Sequence, residues 1–204
     1  MINQFWVALL FTTIYAIIRY TAFGTVSLIH APVYIMNKGI SMTAAVSLFM
    51  ASLCLVRRER DAARFWTNAC SQAVFVHIFL SLGIFSKAYF HKLFSGDKLN
   101  LSGEVTVLFG VLAAYCIWRL NTTGMKTAEK RITTASVYAL VASHLFVIGY
   151  GDWLHVQKWN GALPPDTLLS FLFVIYGLLT FVRSKDEAFI SLPIENNIKP
   201  AIEP

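Results

Sequence analysis

The sequence predicts an all-α protein, an integral membrane bundle of six transmembrane helices with both termini cytoplasmic. Three observations carry this. Only 14% of the 204 residues are charged while 56% are hydrophobic, whereas about a quarter of a soluble domain is charged. Apolar runs long enough to cross a hydrocarbon core of roughly 30 Å, which takes about 20 helical residues, recur along the chain. The basic residues cluster in alternate connections, as the topology of a multi-pass protein requires.

The spans read in order as 5–23, 40–56, 66–90, 103–118, 133–150 and 165–182. The first is a true span rather than a cleaved signal peptide, because no basic residue precedes it, no small-residue cleavage site follows, and Arg19 stands at its far end. The third, from Trp66 to Phe90, contains the run "ACSQAVFVHIFLSLGIFSKAYFH" with a histidine near its start and another at its end. The loop "RRERDAAR" (57–64), the loop from Arg119 to Arg131 and the tail after Val182 hold eleven of the seventeen Lys and Arg, and the other three connections hold six. The richer set faces the cytoplasm by the positive-inside rule. Residues 1–183 thus form one transmembrane domain, and 184–204, with Pro, Asn and Glu and no periodicity, read as a cytoplasmic tail, a flexible end or docking strip.

The formal charge of +6 follows from this topology and calls for no nucleic-acid partner; the bilayer is the first partner, and a multi-pass place in the cell inner (plasma) membrane the expected localisation. Phosphate-binding loops, Ser/His/Asp orders and acidic metal clusters are missing. The longest connection, about 16 residues between the first two spans, leaves no room for a nucleotide-binding domain. Any reducing equivalents must come from a partner protein or membrane complex. Cys54, Cys70 and Cys116 have no metal or redox spacing and read as small buried hydrophobes.

The histidines are the informative residues, because ionisable side chains inside spans are costly and usually face a functional interior. His91 follows His77 by fourteen residues, which on one continuous helix puts the two within roughly 40° in azimuth and roughly 21 Å apart in depth. His155 follows His144 by eleven, about 20° and roughly 16 Å away if that helix also continues. His77 lies thirteen residues after Arg64 and His144 thirteen after Arg131, so the two fall at similar depth. His91 and His155 then form a second level. Two levels of paired imidazoles are what two stacked bis-His haems require, and the apolar face of a porphyrin suits a gap between helices. Zinc or copper would want additional ligands close by. Arg19, Lys87 and Lys92 lie toward the outer face, where propionates or the interface would hold them.

These features resemble the ferric reductase-like transmembrane domain: six spans, a basic turn before the third, the His77/His91 pair and further histidines in the fifth. This family includes the haem-binding cores of NADPH oxidases and ferric reductases and the haem subunit of the methionine sulfoxide reductase system. The resemblance covers about residues 5–183 and implies b-type haem, with His77 and His144 as inner and His91 and His155 as outer ligands. It also implies electron transfer across the membrane between a flavoprotein or quinol donor and an acceptor, with quinone or flavin contributed by a partner. The eleven-residue step departs from the family's longer spacing, and "GYGDW" can end the helix before His155, so one haem or two remain open. The alternative is a non-redox membrane protein, a structural subunit or small transporter in which the histidines relay protons. His30, beside Pro32, reads as an interfacial residue outside the ligand set. Trp153 and Trp159 read as an aromatic belt, and Asp166 as a dipole-favoured helix start.

Overall fold

A computed structural model describes residues 1–24, 31–121 and 124–184. Six helices in it are long and apolar enough to span a membrane, so the chain has the build of a multi-pass membrane protein. They are α1 (Ile2–Ile17, continued by a π-helical turn Ile18–Ala22), α2 (Ala31–Val56), α3 (Arg60–Gly83), α4 (Leu101–Leu120), α5 (Thr127–Trp153) and α6 (Asp166–Arg183). Between α3 and α4 the chain forms a 3₁₀ turn (His91–Leu93) and a minimal antiparallel hairpin of β1 (Phe94–Ser95) and β2 (Lys98–Leu99). The expectation for residues 185–204 and that for His30 lie outside the described residues.

The helices alternate in direction. The end of α1 and the starts of α2 and α6 therefore meet at one end of the bundle, called here the distal end, while the 57–59 turn lies at the other. α2 is central: it packs against α1, α3 and α6, and the share of its span that is buried is 61%, well above the other five. Its sequence explains this. Gly39, Ala44, Ala45, Ser47, Ala51 and Ser52 keep the α2 backbone slim, so neighbours approach closely, as membrane helix interfaces favour. The main core gathers Leu48, Leu55, Trp66, Val137, Tyr138, Val174 and Phe181. Tyr138 is buried there, its hydroxyl sharing a hydrogen bond with Ser52 and donating to the Leu48 carbonyl at 2.9 Å. Gly177 of α6 makes room for its ring, since a Cβ there would stand 2.9 Å from Tyr138 Cε1. Large apolar side chains such as Phe11, Phe79, Leu101 and Leu112 point outward, which lipid accepts and water would not.

Two neighbours barely touch. α4 packs on α5 and α3 on α2, but α3 and α4 make only marginal contact.

The spans differ from their sequence-based bounds where polar residues lie in helix. α2 begins nine residues before the expected Ile40 and takes in Asn37 and Lys38. α3 corrects the expectation most. It starts at Arg60, not Trp66, and stops at Gly83, not Phe90. Its 24 residues give roughly 36 Å of helix, enough to cross the core. The chain then turns, anchored by the buried side chain of Ile84, whose N–H is drawn back to Leu80 and Ser81 carbonyls. His77 and His91 therefore do not share one helix. α5 does run through "GYGDW" to Trp153. Gly149 lies against α6 and the Trp153 indole: a Cβ there would stand 2.5 Å from Trp153 Nε1 and 2.6 Å from Thr167 Oγ1.

Candidate functional site

His77 on α3 and His144 on α5 face one chamber, about 350 Å³ in volume, enclosed mainly by α2, α3, α4 and α5. Apolar side chains dominate its wall, among them Leu48, Val74, Val111, Ile117, Val137 and Leu145. The gap between α3 and α4 is its open side, where Leu82 and Val111 are both wall residues and exposed.

Each imidazole is held by its Nδ1. His77 Nδ1 donates to Asn37 Oδ1 at 2.7 Å, and the Ser81 hydroxyl donates to the same oxygen at 3.2 Å. Asn37 is itself buried on α2, so it fixes the ring rigidly. His144 Nδ1 donates to the Thr106 carbonyl of α4 at 2.8 Å. A carbonyl can only accept, so that bond sets the tautomer. Gly110, one turn on, lets the ring lie close to the α4 backbone: a Cβ there would stand 3.3 Å from His144 Nδ1. In both residues Nε2 keeps its lone pair, the form in which imidazole binds a metal or accepts a proton, and the acceptor behind Nδ1 strengthens that basicity. Thr106 Oγ1 is buried at the chamber wall with no hydrogen-bond partner among the described residues.

The other sequence-predicted residues fall elsewhere. His91 lies on the 3₁₀ turn, exposed, against a second pocket at the distal end. His155 follows α5, exposed, with Nδ1 donating to the Gly151 carbonyl at 2.7 Å; it lines neither pocket. The structure thus brings His77 and His144 together and leaves His91 and His155 on separate connections. Arg19 lines the distal pocket and not the chamber; it is buried, with Nη1 bonded to the Leu163 carbonyl. Trp153 Nε1 donates to Thr167 Oγ1 and Trp159 Nε1 to the Asp152 carbonyl, both at 3.0 Å. Cys54 and Cys70 are buried free thiols and Cys116 a half-buried one.

Between chamber and distal pocket stand Lys38 and Tyr20, which sequence reading missed, together with Asp166. Lys38 Nζ pairs with Asp166 at 3.3 Å, with side chains 15% and 7% exposed. Tyr20 donates to the same carboxylate, and both Lys38 and Asp166 line both cavities. Asp166 does open α6 as expected, but its partner is Lys38 as well as the helix dipole. The usable signal was Lys38 within "YIMNKGISM". An ionisable residue inside a span is a functional pointer, and starting that span at Ile40 hid it.

Among the described residues no group of three or more His, Cys, Asp or Glu is arranged to hold a metal ion, so the donor set on offer is the imidazole pair alone. Two imidazole nitrogens on one apolar chamber, with no further protein donor beside them among the described residues, suit a metal group that brings its own ligands better than a bare ion. Compared with known proteins, the chain matches no family model and no curated protein.

Proposed function

We propose that this chain is the haem-carrying membrane subunit of an electron-transfer system, related to the ferric reductase-like transmembrane domains, in which His77 and His144 would hold one b-type haem. The observation that carries this is the chamber itself: two imidazoles from different helices, each anchored at Nδ1 and free at Nε2, on one apolar cavity. Such a group would supply a one-electron carrier cycling between ferric and ferrous iron. The chain's own residues do the rest. Asn37 and the Thr106 carbonyl orient the rings and raise their basicity. The apolar wall disfavours water, and the sparse contact between α3 and α4 leaves the chamber open on that side, where a flat apolar group could enter. Lys38, which lines the chamber at its distal edge and is paired with Asp166, would be the cation nearest a propionate there. Both termini are assigned to the cytoplasm and the bundle to the plasma membrane, with a flavoprotein or quinol as donor.

The test is optical. Protein expressed with ample haem is expected to show a reducible b-type spectrum and about one iron per chain. His77→Ala and His144→Ala are expected to abolish it, while His91→Ala and His155→Ala leave it intact. A folded, colourless wild type refutes the reading.

A second reading is favoured by one observation, the Lys38–Asp166–Tyr20 cluster inside the spans. Paired charges at that depth also mark proton or ion paths, and a non-redox transporter would use His77 and His144 as relays. Colourless protein that carries protons into liposomes only while Lys38 and Asp166 are present would select it.

A further inference from the structure

We infer that the distal pocket, which adjoins the histidine chamber at Lys38 and Asp166, is a binding site for an oxyanion. The pocket has a volume of about 280 Å³ and is walled by Arg19, Lys38, Lys92 and Lys158 against the carboxylates of Asp152 and Asp166. Lys38 is paired with Asp166 and Lys92 with Asp152. Arg19 and Lys158 have no ion pair among the described residues, so the pocket holds two positive charges more than its carboxylates neutralise.

Arg19 is the centre of the site. It is 6% exposed, and a guanidinium cannot shed its charge when buried. Nη1 is taken by the Leu163 carbonyl, but Nε is buried with no partner among the described residues. An orphaned charged donor is costly unless something accepts from it. The missing partner is an acceptor that also carries negative charge, and the planar guanidinium edge matches the paired oxygens of phosphate, sulfate or carboxylate. Arg19 also lies in the π-helical turn Ile18–Ala22, a distortion that recurs at functional sites. Tyr20, Tyr34 and Trp159 supply the rest of the wall. Lys158, exposed on the 3₁₀ turn after α5, stands at the mouth.

The same chemistry is offered by a dissolved oxyanion and by the phosphate of an anionic lipid. The experiment separates them. Purified chain in phosphatidylcholine nanodiscs is titrated with inorganic phosphate or sulfate against chloride at matched ionic strength, with thermal unfolding as the readout; a parallel set of discs contains phosphatidylglycerol. A saturable rise in midpoint with the dissolved oxyanions is expected for a solute site, and a rise only with phosphatidylglycerol for a headgroup site. In either case Arg19→Gln is expected to weaken binding by about tenfold or more, and Lys158→Gln by about threefold. Should Arg19→Gln fail to fold, Lys158→Glu keeps the fold and is expected to abolish the rise by placing a carboxylate at the mouth. His77→Ala is expected to bind normally, so a failure of the haem proposal leaves this one standing. No saturable rise from either source, or one unchanged in Arg19→Gln or Lys158→Glu, overturns the inference.

Discussion

Removing the Lys38 ammonium should destabilise the bundle far more than removing the whole ion pair. In Lys38→Met the carboxylate of Asp166, whose side chain is 7% exposed in the wild type, is left with the Tyr20 hydroxyl, with Arg19 nearby. At 3.3 Å the pair's attraction is about 5 kcal/mol for an effective dielectric of about 20, much of it spent on desolvating the two ions. Losing one partner of such a pair costs about 3–5 kcal/mol, whereas replacing both by apolar groups is often near neutral. For a chain of this length that single loss lowers the unfolding midpoint by about 10 °C. The double variant Lys38→Met/Asp166→Leu should recover most of it, giving a coupling of about 2–3 kcal/mol. Cys54 and Cys70 are buried in the folded chain, so a thiol-reactive fluorophore reports unfolding directly in detergent. If Lys38→Met melts within a degree or two of wild type, or if the two single effects simply add in the double variant, the pair is not the buried contact described here.

Two further outcomes follow from the chamber and the topology. Gly110→Leu is expected to push the His144 ring off α4 and break its 2.8 Å bond to the Thr106 carbonyl, while Gly110→Ala, whose Cβ meets Nδ1 at 3.3 Å, needs a shift of only a few tenths of an ångström; if haem binds as proposed, the visible spectrum of the first is lost and that of the second is retained. An engineered cysteine in "RRERDAAR" is expected to react with an impermeant thiol reagent only from the cytoplasmic side and one in "SGDKLN" only from outside, and the reverse pattern would invert the orientation assigned from the Lys/Arg bias.

What the sequence alone determined is what depends on local sums. Whether a segment crosses lipid is set by the transfer free energy of about 20 consecutive residues, so six helices and the all-α class were legible. The similar placement of His77 and His144 was legible for a related reason: each lies thirteen residues past a basic turn, and rise per residue converts count into depth. Helix ends were less so: hydropathy undervalues polar residues such as Lys38 and Arg60 that sit in helix all the same, hence the late starts read for α2 and α3, and it carried the third span through the apolar residues after Gly83, where the chain turns instead, up to His91. The rest belonged to tertiary structure. Asn37 meets His77 forty residues away, Thr106 meets His144, and Lys38 meets Asp166 across most of the chain. Those meetings depend on how each helix is rotated about its axis and how closely small residues let it approach its neighbours, and neither quantity is a sum over any one window of sequence.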